Sequence, residues 1–263
     1  MICSRANPRI KTLAALQTRK GREEQGLAIA EGIHLCEEAF RSGAAVRTLI
    51  LSESMIGRAE APILRLLAEA TGVEVLEVSN TCYAKLSDLQ SPEGTAVVFA
   101  PRPPHFAELL AEPRPRLLVA AGVQDPGNAG ALVRTAEAAG ASGCVFLDSI
   151  DVLAPKFLRA AMGSAFRIPC CPADTEEFLE RARGRTLRLL AAAAEAAPKA
   201  VGYDAADYAP PVALCVGGEG AGLPSELLAS VATRIFIPMS GRVESLNVAV
   251  AAGILLYQAR RAW

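Results

Sequence analysis

The 263-residue sequence lacks the features that mark several classes of protein. Its formal net charge is −1, and it holds only two histidines, His34 and His105. The seven cysteines include no Cys-x-x-Cys pair, and most lie in apolar runs, where a free thiol acts as a small hydrophobic side chain. We therefore expect no metal site and no general coating of positive charge, so any affinity for nucleic acid must be local.

Long hydrophobic runs and a secretory leader are also missing. No apolar stretch reaches the roughly 18 residues that a membrane span requires, and the N-terminus lacks the pattern of a signal peptide. We expect a cytoplasmic protein with no membrane partner. Hydrophobic residues make up 51% and charged residues 21% of the chain, which is a globular composition, and the length favours two domains of unequal size.

The first hundred residues alternate helical and extended patterns, which predicts a compact α/β domain. A helix is predicted to begin at Asn7-Pro8, because proline fits the first helical turn. Prolines concentrate in residues 101–115, which we interpret as a linker with at most one short helix at 106–110. The predicted domains are therefore 1–100 and 116–263. Within the first, strands are predicted at 27–30, 46–51, 73–78 and 95–100, and further helices at 34–41, 61–70 and 81–86.

The second domain begins with a β-α-β pattern, which implies a pair of parallel strands. The pattern predicts a strand at 117–123, a turn at 125–128, a helix at 129–139 ended by Gly140, and a strand at 144–147. The last segment predicts an apolar helix at 246–261, buried nearly all round. Further helices are predicted at 155–166, 175–183 and 224–231, and strands at 187–191, 212–216 and 235–238.

Three loops that follow strands of the second domain have unusual compositions, and ligands bind at the carboxyl ends of strands in open parallel sheets. The first loop, Asp-Pro-Gly-Asn-Ala-Gly at 125–130, leads into a helix that carries Arg134. A guanidinium there can clamp a phosphate or polarise a hydroxyl. Taken alone, Arg134 is better explained as a surface residue that pairs with Glu137.

The second loop, at 217–224, is rich in glycine but fits neither common phosphate-binding fingerprint. Leu223 occupies the third glycine position of a dinucleotide motif, and the lysine of a P-loop is absent. Missing Cβ atoms would let a ligand lie flat against this backbone. Glu219 suits a ligand with hydroxyls or a positive charge, although a plain turn is the alternative.

The third loop, at 239–247, ends in Ser245-Leu246-Asn247. Ser245 is a candidate cap for the final helix. Asn247, expected one step inside that helix, needs a partner for its amide, which either tethers a neighbouring loop or faces a ligand. Apart from these loops, the sequence shows no Ser/His/Asp set, carboxylate pair or metal cluster that could form a catalytic site. The chemistry is then one that positioning and polarisation deliver, and methyl transfer from a sulfonium is such a reaction.

Together the three loops resemble the motifs of the SpoU/TrmH family of RNA 2′-O-ribose methyltransferases, in the SPOUT superfamily. The similar segments are DPGNAGALVRTAEAAG at 125–140, VGGEGAGLPSEL at 216–227 and RIFIPMSGRVESLNVAVAAGILLYQARR at 234–261. The resemblance implies S-adenosylmethionine as the cofactor, Arg134 as the catalytic arginine and Asn128 as the asparagine of the first motif. It adds three further catalytic-site residues, namely Glu219, Ser245 and Asn247. It also implies that the cofactor is contacted by Gly217, Gly218, Ile237, Leu246 and Asn247.

The first domain resembles the family's RNA substrate-binding domain, most clearly in NPRIKTLAALQTRKGREEQ and LAIAEGIHLCEEAF. Residues 1–22 carry six basic side chains and no acidic one. Charge alone leaves a solvated helix face as an equal alternative, and the resemblance favours RNA contact. Arg22 and Glu31-Gly32 match the family best. The predicted RNA-binding residues are Arg9, Lys11, Arg19, Lys20 and Arg22.

Two further implications come from the resemblance alone: a deep trefoil knot in the C-terminal α/β domain, and a homodimer. The expected function is methylation of a ribose 2′-hydroxyl in rRNA or tRNA. Three alternatives stay open. These are a non-catalytic RNA-binding or ribosome-assembly factor on the same fold, a SPOUT enzyme that methylates a base, and a small-molecule methyltransferase, which would leave the first domain without a purpose.

Overall fold

The computed structural model describes residues 1–194, 197, 199–218, 222–240, 242–243 and 245–263. Within it the chain divides into two compact units. The first unit contains Met1–Arg102 together with Leu153–Phe166, and the second contains Pro103–Val152 together with Arg167–Trp263. The two α/β domains predicted from the sequence are therefore present, but a segment from the second half of the chain packs with the first unit.

The first unit is built on a four-stranded sheet in the order β1-β4-β2-β3. Strand β4 runs antiparallel to both of its neighbours, and β2 and β3 are parallel. Its helices are α1 (Pro8–Ala15), α2 (Arg19–Gln25), α3 (Ile33–Arg41), α4 (Glu53–Ile56), α5 (Ala61–Thr71) and α6 (Asn80–Leu86). Its strands are β1 (Ala28–Glu31), β2 (Ala45–Ser52), β3 (Glu74–Val78) and β4 (Thr95–Ala100).

Helix α1 shows how the local sequence sets a helix start. The Asn7 side chain accepts a hydrogen bond from the backbone N–H of Arg9, and Pro8 occupies the first turn, where a missing N–H costs nothing. The predicted start of this helix is confirmed. Its apolar residues Ile10 and Leu13 are buried against the sheet residues of the same core, so capping and burial favour the same conformation.

The second unit is built on a seven-stranded sheet in the order β7-β6-β5-β10-β8-β11-β9, with every pairing parallel. Its strands are β5 (Arg116–Ala121), β6 (Gly143–Leu147), β7 (Cys170–Ala173), β8 (Arg188–Ala192), β9 (Ala200–Gly202), β10 (Val212–Gly217) and β11 (Thr233–Phe236). The helices along this half of the chain are α7 (Phe106–Leu110), α8 (Pro126–Ala139), α9 (Pro155–Ala161), α10 (Ser164–Arg167), α11 (Thr175–Arg183), α12 (Ser225–Ser230) and α13 (Val248–Ala259). A single 3₁₀ turn, Arg260–Ala262, follows α13.

Strands β5 and β10 lie side by side at the centre of this sheet, and both are almost continuously apolar. Such runs are typical of strands covered on both faces, where alternation with polar residues would place polar groups in the core. Helix α8 ends at Gly140, which adopts the left-handed conformation that the predicted helix end requires. These features confirm a parallel α/β domain.

Three sequence predictions fail here for identifiable reasons. The short helix predicted at 106–110 is confirmed as α7, but residues 101–115 are not a linker separate from both domains, because Phe106, Leu109 and Leu110 are buried in the core of the second unit. The helix predicted at 155–166 breaks into α9 and α10, since Met162 and Gly163 both have positive φ. The turn predicted at 125–128 is instead the cap and first turn of α8, which begins at Pro126.

All seven cysteines are free thiols, and six of them are buried. Burial in apolar surroundings raises the pKa of Cys36, Cys170 and Cys215 to about 12, because the core disfavours the thiolate. These thiols therefore act as small core side chains. None of the helices in the described part of the chain has the length and apolar character needed to cross a bilayer.

Candidate active site

The three loops singled out in the sequence lie at one edge of the seven-stranded sheet. The first follows β5, the second follows β10, and the third connects β11 to α13. Because β5 and β10 are parallel neighbours in register from Arg116 and Val212 onward, their carboxyl ends meet. Strand β11 is parallel to the same set through β8. The topology therefore brings the three segments to the ligand-binding edge expected of such sheets.

The first loop is anchored by Asp125, which caps α8. Its Oδ1 accepts a hydrogen bond of 2.7 Å from the backbone N–H of Asn128. Sequence reasoning passed over this role of Asp125, although an aspartate directly before a proline is a typical helix start. The cap fixes the backbone of Asn128 in the first turn of α8.

Asn247 joins the first and third segments. Its Nδ2 donates a hydrogen bond of 2.9 Å to Oδ1 of Asn128, and its own Oδ1 accepts from the backbone N–H groups of Ala249 at 2.9 Å and Val250 at 3.4 Å. Asn247 is thus the cap of α13, and the prediction that Ser245 caps this helix is wrong. Asn247 also lies at the helix boundary and is exposed, not inside the helix. Of the two partners expected for its amide, a neighbouring segment is the one observed, although Asn128 lies in the first turn of α8 and not in a loop.

Arg134 lies in the third turn of α8 and is exposed. The surface pair with Glu137 that was its alternative explanation does not form, because Glu137 binds the guanidinium of Arg167 through two hydrogen bonds of 2.6 and 3.0 Å. Within the described part of the chain, Arg134 makes no ion pair. Its charge is therefore available to a ligand.

Gly217 and Gly218 are required by close backbone packing. A Cβ atom at Gly217 would overlap the backbone of Gly222, and one at Gly218 would overlap the carbonyl of Gly122, in the turn that follows β5. The N–H of Gly218 donates a 2.8 Å hydrogen bond to the carbonyl of Ala121. The space beside these glycines is thus filled by the chain itself, which corrects our interpretation that a ligand occupies it. Glu219, the acidic residue of this loop, lies outside the described residues.

The remaining residues predicted at the cofactor site lie on the segment that connects β11 to α13. Ile237 directly follows β11 and is half-buried, as is Leu246, whereas Ser245 is exposed. Half-buried apolar side chains at such an edge form a surface suited to a flat, partly apolar ligand. The residues present at this edge are therefore compatible with an adenosine-bearing cofactor.

The basic N-terminal stretch of the first unit differs from its prediction at Arg22. This side chain is only 5% exposed, and its Nη1 donates a 2.8 Å hydrogen bond to the carbonyl of Leu16. A guanidinium held inside the fold cannot serve as a surface contact for RNA, so Arg22 has a structural role. The other predicted RNA-binding residues are exposed: Arg9, Lys11, Arg19 and Lys20.

Intramolecular ion pairs reduce the positive charge of this stretch. Arg19 pairs with Glu23 at 2.7 Å and Lys20 with Glu24 at 3.7 Å, each four residues apart on α2. Arg9 pairs with the Glu74 carboxylate. Exposed pairs of this kind are weak and exchange readily with other partners. The stretch is therefore less basic than a count of its cations indicates.

Comparison with known proteins gives matches over almost the whole chain. Residues 115–257 match the SpoU rRNA methylase family, and residues 7–97 match the MRM3-like substrate-binding domain. The 23S rRNA (guanosine(2553)-2′-O)-methyltransferase RlmP of Bacillus subtilis is 33% identical over 261 residues, which cover 98% of each chain.

Solved structures agree with these matches. An AdoMet-bound rRNA methyltransferase from Sinorhizobium meliloti shares 33% identity with a TM-score of 0.87, covering 99% of this chain and 97% of that one. The SpoU methyltransferase AviRb from Streptomyces viridochromogenes, in complex with AdoMet, shares 26% identity with a TM-score of 0.84 over 97% of both chains. The chain therefore belongs to the SpoU rRNA methylase family.

Proposed function

We propose that this protein transfers a methyl group from S-adenosylmethionine to a ribose 2′-hydroxyl of ribosomal RNA. The observation that carries the proposal is the Asn247–Asn128 hydrogen bond, which joins the first and third motif segments. The second motif segment lies at the same edge of the sheet. The names of the relatives in the family support the substrate class and the cofactor.

The cofactor supplies a methyl group on a positively charged sulfur, which needs no activation by the enzyme. The protein has to place a hydroxyl oxygen in line with that methyl group and favour loss of its proton. In this proposal Arg134, which is exposed and makes no ion pair with the described residues, engages the target ribose and its phosphate. A fixed cation beside the hydroxyl stabilises the negative charge that develops on the oxygen.

The other motif residues position the reactants in this proposal. The Asp125 carboxylate accepts from the backbone N–H of Asn128, and the Asn128 side chain accepts from Asn247, so hydrogen bonds through these three residues link the two segments. We assign Glu219 and Ser245 to binding of the RNA substrate. Ile237, Leu246 and Asn247 would hold the cofactor at the carboxyl edge, and Gly217 and Gly218 would fix the second loop beside it through their close backbone packing.

We further propose that exposed cations of the first unit bind the RNA, that two copies form a homodimer, and that the protein acts in the cytoplasm. The RNA contacts are Arg9, Lys11, Arg19 and Lys20, without Arg22. The dimer is supported by an exposed apolar stripe on α13, where Val250 and Tyr257 are 52% and 51% exposed. Apolar groups so placed are typical of subunit interfaces.

The test uses Arg134→Ala, with Arg185→Ala as the matched control, since Arg185 is an exposed arginine on another part of the same unit. Transfer of labelled methyl groups to rRNA and calorimetric binding of S-adenosylmethionine are measured for both. We expect Arg134→Ala to lower turnover by about 100-fold or more, because it removes a charge that acts in the transition state, and to leave cofactor affinity within about twofold.

Three results would contradict parts of this proposal. Retained turnover in Arg134→Ala removes its catalytic role. A product that stays sensitive to alkaline cleavage at the modified nucleotide indicates a methylated base instead of a methylated ribose. Absence of cofactor binding to the unaltered protein, with and without rRNA, favours a non-catalytic RNA-binding factor.

A further inference from the structure

A second cleft lies at the opposite edge of the seven-stranded sheet from the motif loops. Its volume is about 320 Å³. Glu112, Pro113 and Arg114 precede β5, Arg116 is its first residue, and Pro210 precedes β10. The motif loops follow these strands, so the length of a six-residue strand, roughly 20 Å, separates the two regions. The cleft is lined by Glu112, Pro113, Arg114, Arg116, Pro210 and Trp263.

Two nitrogen donors in this cleft have no acceptor. Nε of Arg116 and Nε1 of Trp263 are buried and make no hydrogen bond to any described residue. The guanidinium carbon of Arg116 lies 6.0 Å from the centre of the Trp263 ring, close enough for a cation–π contact. Buried N–H groups are almost always paired, so two such donors in one cleft indicate that an acceptor-bearing ligand completes it.

The charge and shape of the cleft indicate the chemistry of that ligand. Arg114 is exposed at its rim, and with Arg116 it outweighs the single carboxylate of Glu112. Arg260 and Arg261 lie on the turn directly before Trp263. The indole, the guanidinium plane and two proline rings present flat faces. Flat faces next to cations suit a planar base attached to a phosphate, as in single-stranded nucleic acid.

We propose that this cleft binds an unpaired nucleotide of the substrate RNA, with the base stacked on Trp263 and the phosphate held by Arg114 and Arg116. The proposal rests on the proposed function in that RNA is the ligand. An acidic peptide would satisfy the arginines but would leave the indole face without a stacking partner, so the aromatic ring decides in favour of a nucleotide.

The chain contains a single tryptophan, and it lies in the cleft. Its fluorescence therefore reports on this cleft alone. The full chain is titrated with a single-stranded oligoribonucleotide, with inorganic polyphosphate and with polyglutamate. We expect saturable quenching by the oligoribonucleotide and no comparable quenching by either polyanion, because only the RNA carries bases that stack on the indole.

Two variants separate the contribution of base stacking to RNA affinity from that of charge. Binding is measured by the fluorescence anisotropy of a labelled oligoribonucleotide. Trp263→Ala should weaken binding about 5- to 150-fold, the range that stacking of one base supports. Arg114→Gln should lower the slope of log affinity against log salt concentration by about 0.7, the value for one phosphate contact on a single strand. Arg181→Gln, which removes an exposed arginine from α11, is the matched control and should leave both quantities unchanged.

Arg114 is exposed and Trp263 lies after the last helix, so neither variant is expected to disturb folding, and circular dichroism checks this. RNA binding without a change in Trp263 fluorescence would overturn the proposal, as would quenching by polyglutamate equal to that by RNA. In either case, intact methyl transfer to rRNA would leave the proposed function standing. If the protein bound no RNA and transferred no methyl group, both proposals would be wrong.

Discussion

Asn247 combines two roles that depend on different atoms of one amide. Its oxygen caps α13 and its nitrogen reaches Asn128 on α8. Capping is a local effect worth about 1 kcal/mol, whereas the link to Asn128 joins segments that are 119 residues apart in sequence. Substitutions that remove one atom's function and keep the other's can therefore separate stability from activity.

We expect Asn247→Ala to lower the free energy of unfolding by about 1 kcal/mol and to reduce methyl transfer, because both hydrogen-bonding functions are lost. Asn247→Asp keeps an oxygen for the N–H groups of Ala249 and Val250 but has no donor for Asn128. It should unfold at nearly the same denaturant concentration as the wild type, but its rate of methyl transfer should be reduced as in Asn247→Ala. Normal turnover in the aspartate variant would show that the tether has no part in the reaction.

Glu31 is a buried carboxyl group in the first unit, 3% exposed at the end of β1. It accepts hydrogen bonds from Ser87 at 2.8 Å and from Tyr83 at 3.2 Å, and Nη1 of Arg159 lies 3.7 Å away. Arg159 also pairs with Asp88 at 2.7 Å. Burial is the largest influence and raises the pKa of Glu31, while these hydrogen bonds and Arg159 partly oppose the rise.

A raised pKa in the folded state sets the sign of a pH effect. The contribution of Glu31 to stability is fully present below its unfolded pKa, about 4.3, and is lost as the pH rises through the higher folded pKa. We therefore expect the free energy of unfolding of the wild type, measured by urea denaturation, to fall relative to Glu31→Gln as the pH rises from about 4.3 toward neutrality.

Glu74→Gln supplies a control of opposite sign. The hydrogen bond from Arg9 lowers the pKa of Glu74, so its contribution is present above the unfolded pKa and is lost as the pH falls through the folded one. The effect should be small, because both partners are substantially exposed. Parallel pH profiles for the two variants would contradict the assignment of Glu31.

At the scale of elements, the close contact between the turn after β5 and the end of β10 depends on residues without side chains. Gly218 hydrogen-bonds with Ala121 and leaves no room for a Cβ beside Gly122. We expect Gly218→Ala to destabilise the protein by about 1–3 kcal/mol, the usual cost of overpacking, and to weaken binding of S-adenosylmethionine because the second motif loop must move.

Gly57→Ala is the matched control for this prediction. A Cβ at Gly57 would meet no atom within 4 Å, and its φ of −82° is allowed for alanine. Calorimetry of cofactor binding and denaturant unfolding should therefore give values close to the wild type. Unchanged cofactor affinity in Gly218→Ala would show that the second loop does not shape the pocket.

Most helices and strands could be predicted because strong local signals coincide with burial. Strand β4 and helix α11 have the predicted bounds, and α1 begins where Asn7-Pro8 indicates. Elements with weak local patterns were missed. Strand β9 has three half-buried residues, and β7 contains a proline, so their extended conformation depends on pairing with β11 and β6, which no local pattern reveals.

At the scale of the whole molecule, the order of strands places β10 between β5 and β8 although almost a hundred residues separate β10 from β5 in sequence. The trefoil knot implied by the family resemblance stays a prediction.

The segment 153–166 packs with the first unit, where Phe166 contacts Phe99 edge to face at 5.2 Å. The proline-rich composition of residues 101–115 predicted a single boundary between the domains. It could not predict that residues 153–166 belong to the first unit.

The proposed homodimer gives a prediction at this scale. In analytical ultracentrifugation we expect twice the 27.5 kDa mass of one chain. Val250→Lys should shift the protein toward the monomer, because a charge on the exposed face of α13 would be desolvated in the interface. Leu66→Lys, at an equally apolar and 65% exposed position on α5, should leave the mass unchanged. A monomeric wild type would exclude the dimer.

The sequence alone determined the two-domain α/β class, the three motif segments and the family resemblance, because these depend on local composition, hydrophobic periodicity and the order of motifs. Only the tertiary structure decided that Arg22 is buried, that Glu137 binds Arg167 instead of Arg134, and that Asn247 is bonded to Asn128. Each of these outcomes is a contact between residues distant in the chain or a degree of burial. Such quantities follow from how elements pack against one another, which no single segment specifies.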